Sequence, residues 1–133
     1  MAEFLRQSII LLNKAKTDFM AAKLLHENFI SGSVEIDIEV VCFHLQQCAE
    51  KSLKAILSEK SIDFPRVHDL ELLLNLVDQS TMKIGVDRDL LIELNDFAIE
   101  GRYSILHDDL ISALDYFSEI EDLMNQATLI VAP

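Results

Sequence analysis

The stretch Val41-Cys-Phe-His-Leu-Gln-Gln-Cys-Ala-Glu-Lys-Ser-Leu-Lys-Ala-Ile56 decides the fold. Val41, Leu45, Cys48, Ala49, Ser52, Ala55 and Ile56 recur every three or four residues, as one face of a helix requires. No glycine or proline interrupts the run, so the spacing predicts a helix from about Glu35 to Lys60. A polar row shares the segment: His44, Gln47, Lys51 and Lys54 stand at i, i+3, i+7 and i+10. Upstream, Leu5, Ile9, Leu12, Ala15, Phe19, Ala22 and Leu25 carry the same period and predict a helix from Glu3 to Phe29. Ser31-Gly32-Ser33 separates the two, with glycine as a helix stop and Ser33 able to cap the next start.

Downstream, Phe64-Pro65 ends the central segment, because a residue before proline avoids the helical conformation. His68-Asp69 then leads a short helix, Leu70 to about Val77, with Asp69 as its cap. Asp78 to Gly85 reads as a loop. A further helix spans Asp87 to about Ile99, with Leu90, Leu91, Leu94, Phe97 and Ala98 inward. Gly101 marks a break. The last helix runs from near Asp108 to Ala127, with Leu110, Ala113, Leu114, Phe117, Ile120 and Met124 on one side. The apolar tail from Thr128 to Pro133 is expected to dock on a neighbour or to stay disordered.

Three glycines and two prolines in 133 residues leave few turns, which favours long helices over strands. The expected fold class is all-α, an antiparallel up-and-down bundle of four long helices plus one short helix, in a single domain spanning residues 1–133. The chain is long enough to bury a core without a metal or disulfide. No apolar run approaches the ~20 residues that cross a bilayer, and the N-terminus lacks the apolar stretch of a signal peptide. The expected location is cytoplasmic. Cys42 and Cys48, six apart on one helix, point about 120° from each other. They read as reduced, buried thiols rather than a disulfide or a metal pair.

Eleven basic residues against twenty-three acidic ones give a net charge of −12. Broad nucleic-acid binders draw affinity from clustered Lys and Arg, so any RNA site here is a small local focus of positive charge. No glycine-rich phosphate loop is present, which excludes P-loop chemistry.

Three pieces of the sequence together resemble the HEPN domain family. Cys42-Phe-His-Leu-Gln-Gln-Cys-Ala-Glu-Lys-Ser-Leu-Lys-Ala55 is similar to its central helix. Phe64-Pro-Arg-Val-His-Asp-Leu70 is similar to the connection that follows. Leu94-Asn-Asp-Phe-Ala-Ile-Glu-Gly-Arg-Tyr103 resembles the helix that leads into an Arg-Tyr pair. The resemblance implies a bundle of four or five helices that dimerises, with functional groups near a cleft at the interface. It implies RNA or nucleotide chemistry without a cofactor or metal. Partners are then a second copy of the chain, a separate nucleotidyltransferase or an antitoxin, and RNA or a nucleotide, with DNA and membranes not expected.

Many members of that family cleave RNA with an Arg followed four to six residues later by a His. Arg102-Tyr-Ser-Ile-Leu-His107 has that spacing. Chemically the pair suffices: a neutral His107 takes the proton of a ribose 2′-hydroxyl, and Arg102 holds the scissile phosphate. The alternative is a helix-start histidine beside Asp108 and Asp109, because side chains five apart on an unbroken helix diverge by about 140°. Cleaving members carry a small polar residue after the Arg, where this chain has Tyr103. His44, Gln47, Lys51, Lys54 and Tyr103 are the candidate ligand-binding residues. The row on the central helix reads either as a phosphate-positioning stripe or as a structural network in which Glu50 pairs with Lys54 at i, i+4.

Overall fold

A computed structural model describes residues 6–31, 38–80, 83–97 and 110–131. The described elements are all helical: α1 (Gln7–Ser31), α2 (Ile38–Glu59), α3 (Leu70–Gln79), α4 (Arg88–Glu93), a 3-10 turn (Leu94–Phe97) and α5 (Leu110–Val131). The all-α bundle anticipated from periodicity is therefore what forms.

The segment that decided the fold is its axis. α2 packs against α1, α3, the 3-10 turn and α5, so its burial extends well beyond one stripe. Val41, Leu45, Cys48, Ala49, Ser52, Ala55 and Ile56 are buried as their spacing predicts, and Cys42, Gln46, Glu50, Leu53 and Leu57 are buried with them. Both thiols are free, and burial pushes each up to about 12. They are packing groups rather than nucleophiles. On α1, the predicted Leu12, Ala15, Phe19 and Ala22 enter the core.

Arg6 sets the direction of the helices. Its guanidinium donates to Glu59 Oε2 and to the Val131 carbonyl, each at 3.0 Å, while Ser8 Oγ donates to Glu59 Oε1 at 2.7 Å. The start of α1 thus meets the ends of α2 and α5, and α1 runs antiparallel to both. A cation on the last carbonyls of α5 also complements that helix's dipole. Farther along, Phe19 and Phe117 meet edge to face with centroids 5.9 Å apart, and His26 lies against Phe117 at 4.9 Å.

α2 ends in a Schellman motif. The Ile62 N–H reaches the Leu57 carbonyl at 2.9 Å and the Ser61 N–H reaches Ser58 at 3.1 Å. This geometry places Ser61 at φ 58°, a conformation that glycine adopts without cost. The connection then returns to the bundle through Ile62 and Phe64, both packed on the core. Asp69 accepts the Glu71 and Leu72 N–H groups and so caps α3, the role read from its place before Leu70. Asp87 caps α4 in the same way through Leu90 N. Gln126 of α5 holds the chain between α3 and α4 by exchanging two 2.8 Å hydrogen bonds with the backbone of Gly85.

Several boundaries differ from expectation, α1 running on to Ser31 rather than Phe29 among them. α3 continues to Gln79, because Val77 is still a core residue. The helix predicted from Asp87 keeps α-geometry only to Glu93 and tightens to a 3-10 turn at Leu94; residues 98–109 lie outside the described residues. The tail expected to dock on a neighbour or stay disordered instead prolongs α5 to Val131, which is 2% exposed. Ile130 and Val131 have a core of their own chain to enter, while Leu129 stays exposed, which the local pattern alone does not reveal.

Two outcomes follow. Ser61→Gly relieves the left-handed backbone and is expected to raise stability by about 0.5–1 kcal/mol in urea denaturation. His26 is buried and its pKa falls below the ordinary 6.5, first through desolvation, with Glu27 opposing. The unfolded chain therefore takes up the proton first, so stability decreases as pH drops below about 6.5 and levels off below the folded pKa. Lys23, Glu27 and Glu121 are the charged groups around the ring. Denaturation of His26→Phe across that range should lack this component.

Candidate functional site

Because α2 is buried on most sides, the charges it carries need partners inside the fold. The row His44, Gln47, Lys51, Lys54 accordingly divides between two acids. Asp18, on α1 beside the buried Phe19, accepts from His44 Nδ1 at 3.0 Å and makes a close ion pair with Lys51. One carboxylate thus holds two members of the row one turn on either side of Gln47. With Nδ1 donating to Asp18, Nε2 is left for other partners, as an acceptor in the neutral ring and a donor in the protonated one. The Phe43 ring packs edge-on against it at 5.4 Å, and the side chain remains 27% exposed. Lys51 is 25% exposed beside it. Both side chains can still reach solvent.

The second acid is Glu50, 4% exposed at its side chain. It accepts from Lys54 Nζ at 3.1 Å and meets His68 Nδ1 at 2.9 Å. Gln46 Nε2 donates to the His68 carbonyl at 3.1 Å, and Gln47 Nε2 donates to Gln46 Oε1 at 2.7 Å. Lys54 Nζ lies 5.9 Å from the Phe64 ring centroid, a cation–π distance. These contacts clamp the Phe64–Asp69 connection to α2. Asn95 extends the clamp, accepting the Leu70 N–H at 2.8 Å and donating to Asp69 at 3.1 Å.

The row is therefore two half-sites of different character. His44 and Lys51 form a partly open pair on the α1 side. Gln47 and Lys54 belong to a polar network on the α3 side, buried at Gln46 and Glu50 and open at His68, where the i, i+4 pairing of Glu50 with Lys54 is realised. Asp18 was not among the residues singled out from sequence, and Glu50 was read there as the partner of Lys54 without its contact to His68. Asp18 carries a readable signal: an acid between Ala15, Phe19 and Ala22 interrupts an apolar face. Arg102, Tyr103 and His107 lie outside the described residues. Among the described residues no group of three His, Cys, Asp or Glu side chains is arranged to hold a metal ion, and no helix is long and apolar enough to cross a membrane.

The network has an energetic signature. Glu50→Leu leaves Lys54 without its carboxylate and is expected to cost roughly 3–5 kcal/mol in chemical denaturation. Adding Lys54→Met should restore most of that loss, since an apolar pair of similar volume replaces two desolvated charges.

No curated protein matches this sequence. Among solved structures, the fold is similar to the crystal structure of an archaeal HEPN homologue. The match has a TM-score of 0.52 and 20% identity, over 96% of this chain and 93% of that one. The HEPN domain model matches residues 9–133. That span takes in α2 with its polar row and the clamped connection after it, so the chain belongs to the HEPN domain family.

Proposed function

We propose that this HEPN domain binds RNA or a nucleotide at the His44–Lys51 half-site, as the partner of a separate nucleotidyltransferase in a toxin–antitoxin or defence system. The observation that carries the reading is Asp18, which holds His44 and Lys51 together at a partly open surface. With Nδ1 held by Asp18, the protonated imidazole presents Nε2–H beside an ammonium, which suits one phosphate. Asp18 neutralises much of Lys51's charge, so the site favours a short, specific contact over a long backbone track. Arg102 supplies the second cation in this reading, and Tyr103 a ring on which a base stacks. The reading includes a homodimer, which the exposed apolar side chains Ile10, Met20, Leu24 and Leu129 support.

The second reading is a metal-independent endoribonuclease, favoured by the Arg102-x4-His107 spacing. Here His107 is the base toward the 2′-hydroxyl and Arg102 stabilises the charge developing on phosphate.

A short single-stranded RNA, incubated with the protein in EDTA, tests both readings. Binding without cleavage, weakened about tenfold by His44→Ala and by Arg102→Ala, is the expected result. Its salt dependence should be shallow, with a log–log slope near −1.4 for two phosphate contacts. Cleavage abolished by both Arg102→Ala and His107→Ala establishes the nuclease instead. Sedimentation as a monomer at micromolar concentration removes any site built across two chains.

A further inference from the structure

A pocket separate from the α2 row opens between α1 and α5. Its volume is about 280 Å³, and Phe19, Lys23, His26, Glu27, Phe117, Ser118 and Glu121 line it. That size is close to the lower end of small-molecule sites, enough for one or two fused rings. The base is aromatic: Phe19 and Phe117 meet edge to face at 79°, and His26 tilts over Phe117 at 44°.

His26 is the informative residue. It is 7% exposed, and among the described residues its ring nitrogens have no hydrogen-bond partner, only the ring contact with Phe117. Its ring nitrogens are not among the described buried atoms that lack a partner, so they meet solvent at the pocket, where a ligand's donor or acceptor can replace water. Desolvation keeps the ring neutral near pH 7, and a neutral imidazole offers one donor and one acceptor. At the mouth stand two carboxylates, Glu27 and Glu121, against one ammonium, Lys23. Such a mouth disfavours phosphates and other anions.

We propose that this pocket is a binding site for a small, uncharged heteroaromatic base that stacks on Phe117 and hydrogen-bonds to His26. The ligand class follows from three constraints: a flat body for the aromatic base, ring nitrogens for the imidazole, and no negative charge at the acidic mouth. The site shares no residue with the His44–Lys51 pair and does not depend on the RNA reading.

Benzimidazole and adenine are the probes, titrated to millimolar concentration at pH 7.5 while the imidazole signals of the four histidines are followed by NMR. Saturable shifts of the His26 signals are expected with both. Adenosine monophosphate should bind about tenfold more weakly than adenine, and indole, which lacks a ring acceptor, more weakly than benzimidazole. Ser118→Trp places a bulky ring at the mouth from an exposed position, so it should abolish the shifts while the circular dichroism spectrum is unchanged. The proposal is overturned if the native His26 signals do not move, or if Ser118→Trp leaves the shifts intact. It is likewise overturned if the phosphorylated probe binds as tightly as the free base. The native titration decides the matter even if a variant fails to fold.

Discussion

A central helix that is buried on most sides and still carries charge has to bring its counter-ions with it. That constraint organises this molecule. α2 supplies the main apolar surface on which the other helices rest, yet His44, Glu50, Lys51 and Lys54 all sit on it. Asp18 on α1 answers one half of this polarity, and Glu50 with His68 answers the other. Neither pairing is a large source of net stability, because the desolvation of each ion offsets most of the attraction. Their effect is on specificity: they fix the register of α1 against α2 and pin the connection after α2 to one place.

The local patterns read from sequence were strongest where one periodicity acted alone. The core stripes of α1 and α2 appear as their spacing implies, and Asp69 caps the helix it precedes. Helix ends were less legible because tertiary contacts decide them. The Ser61 turn sets a serine where glycine is the usual left-handed residue, so its sequence gives no ordinary stop signal. α5 runs on to Val131 because Arg6 and the core receive its last turn, contacts made 125 positions away in sequence.

The site was legible as a set of residues but not as an arrangement. Four polar side chains at helical spacing suggest one stripe, and the structure splits them between two acids, one of which lies 33 positions from Lys51. Pairing across helices is invisible to a periodicity within one helix. His26 shows the opposite difficulty. A histidine near the end of a long helix carries no motif, and only its burial against Phe117 distinguishes it from a surface residue.

The Arg6 junction has an architectural consequence. It gathers the start of α1 and the end of α5 at one pole of the bundle, while α1 finishes and α5 begins at the other, about 33 Å away for a helix of 22 residues. Arg6 and Val131, the first and last described residues, therefore share one pole. The pocket between α1 and α5 stands toward the opposite one. A label placed at Arg6 or Val131 thus starts at the pole away from the aromatic pocket.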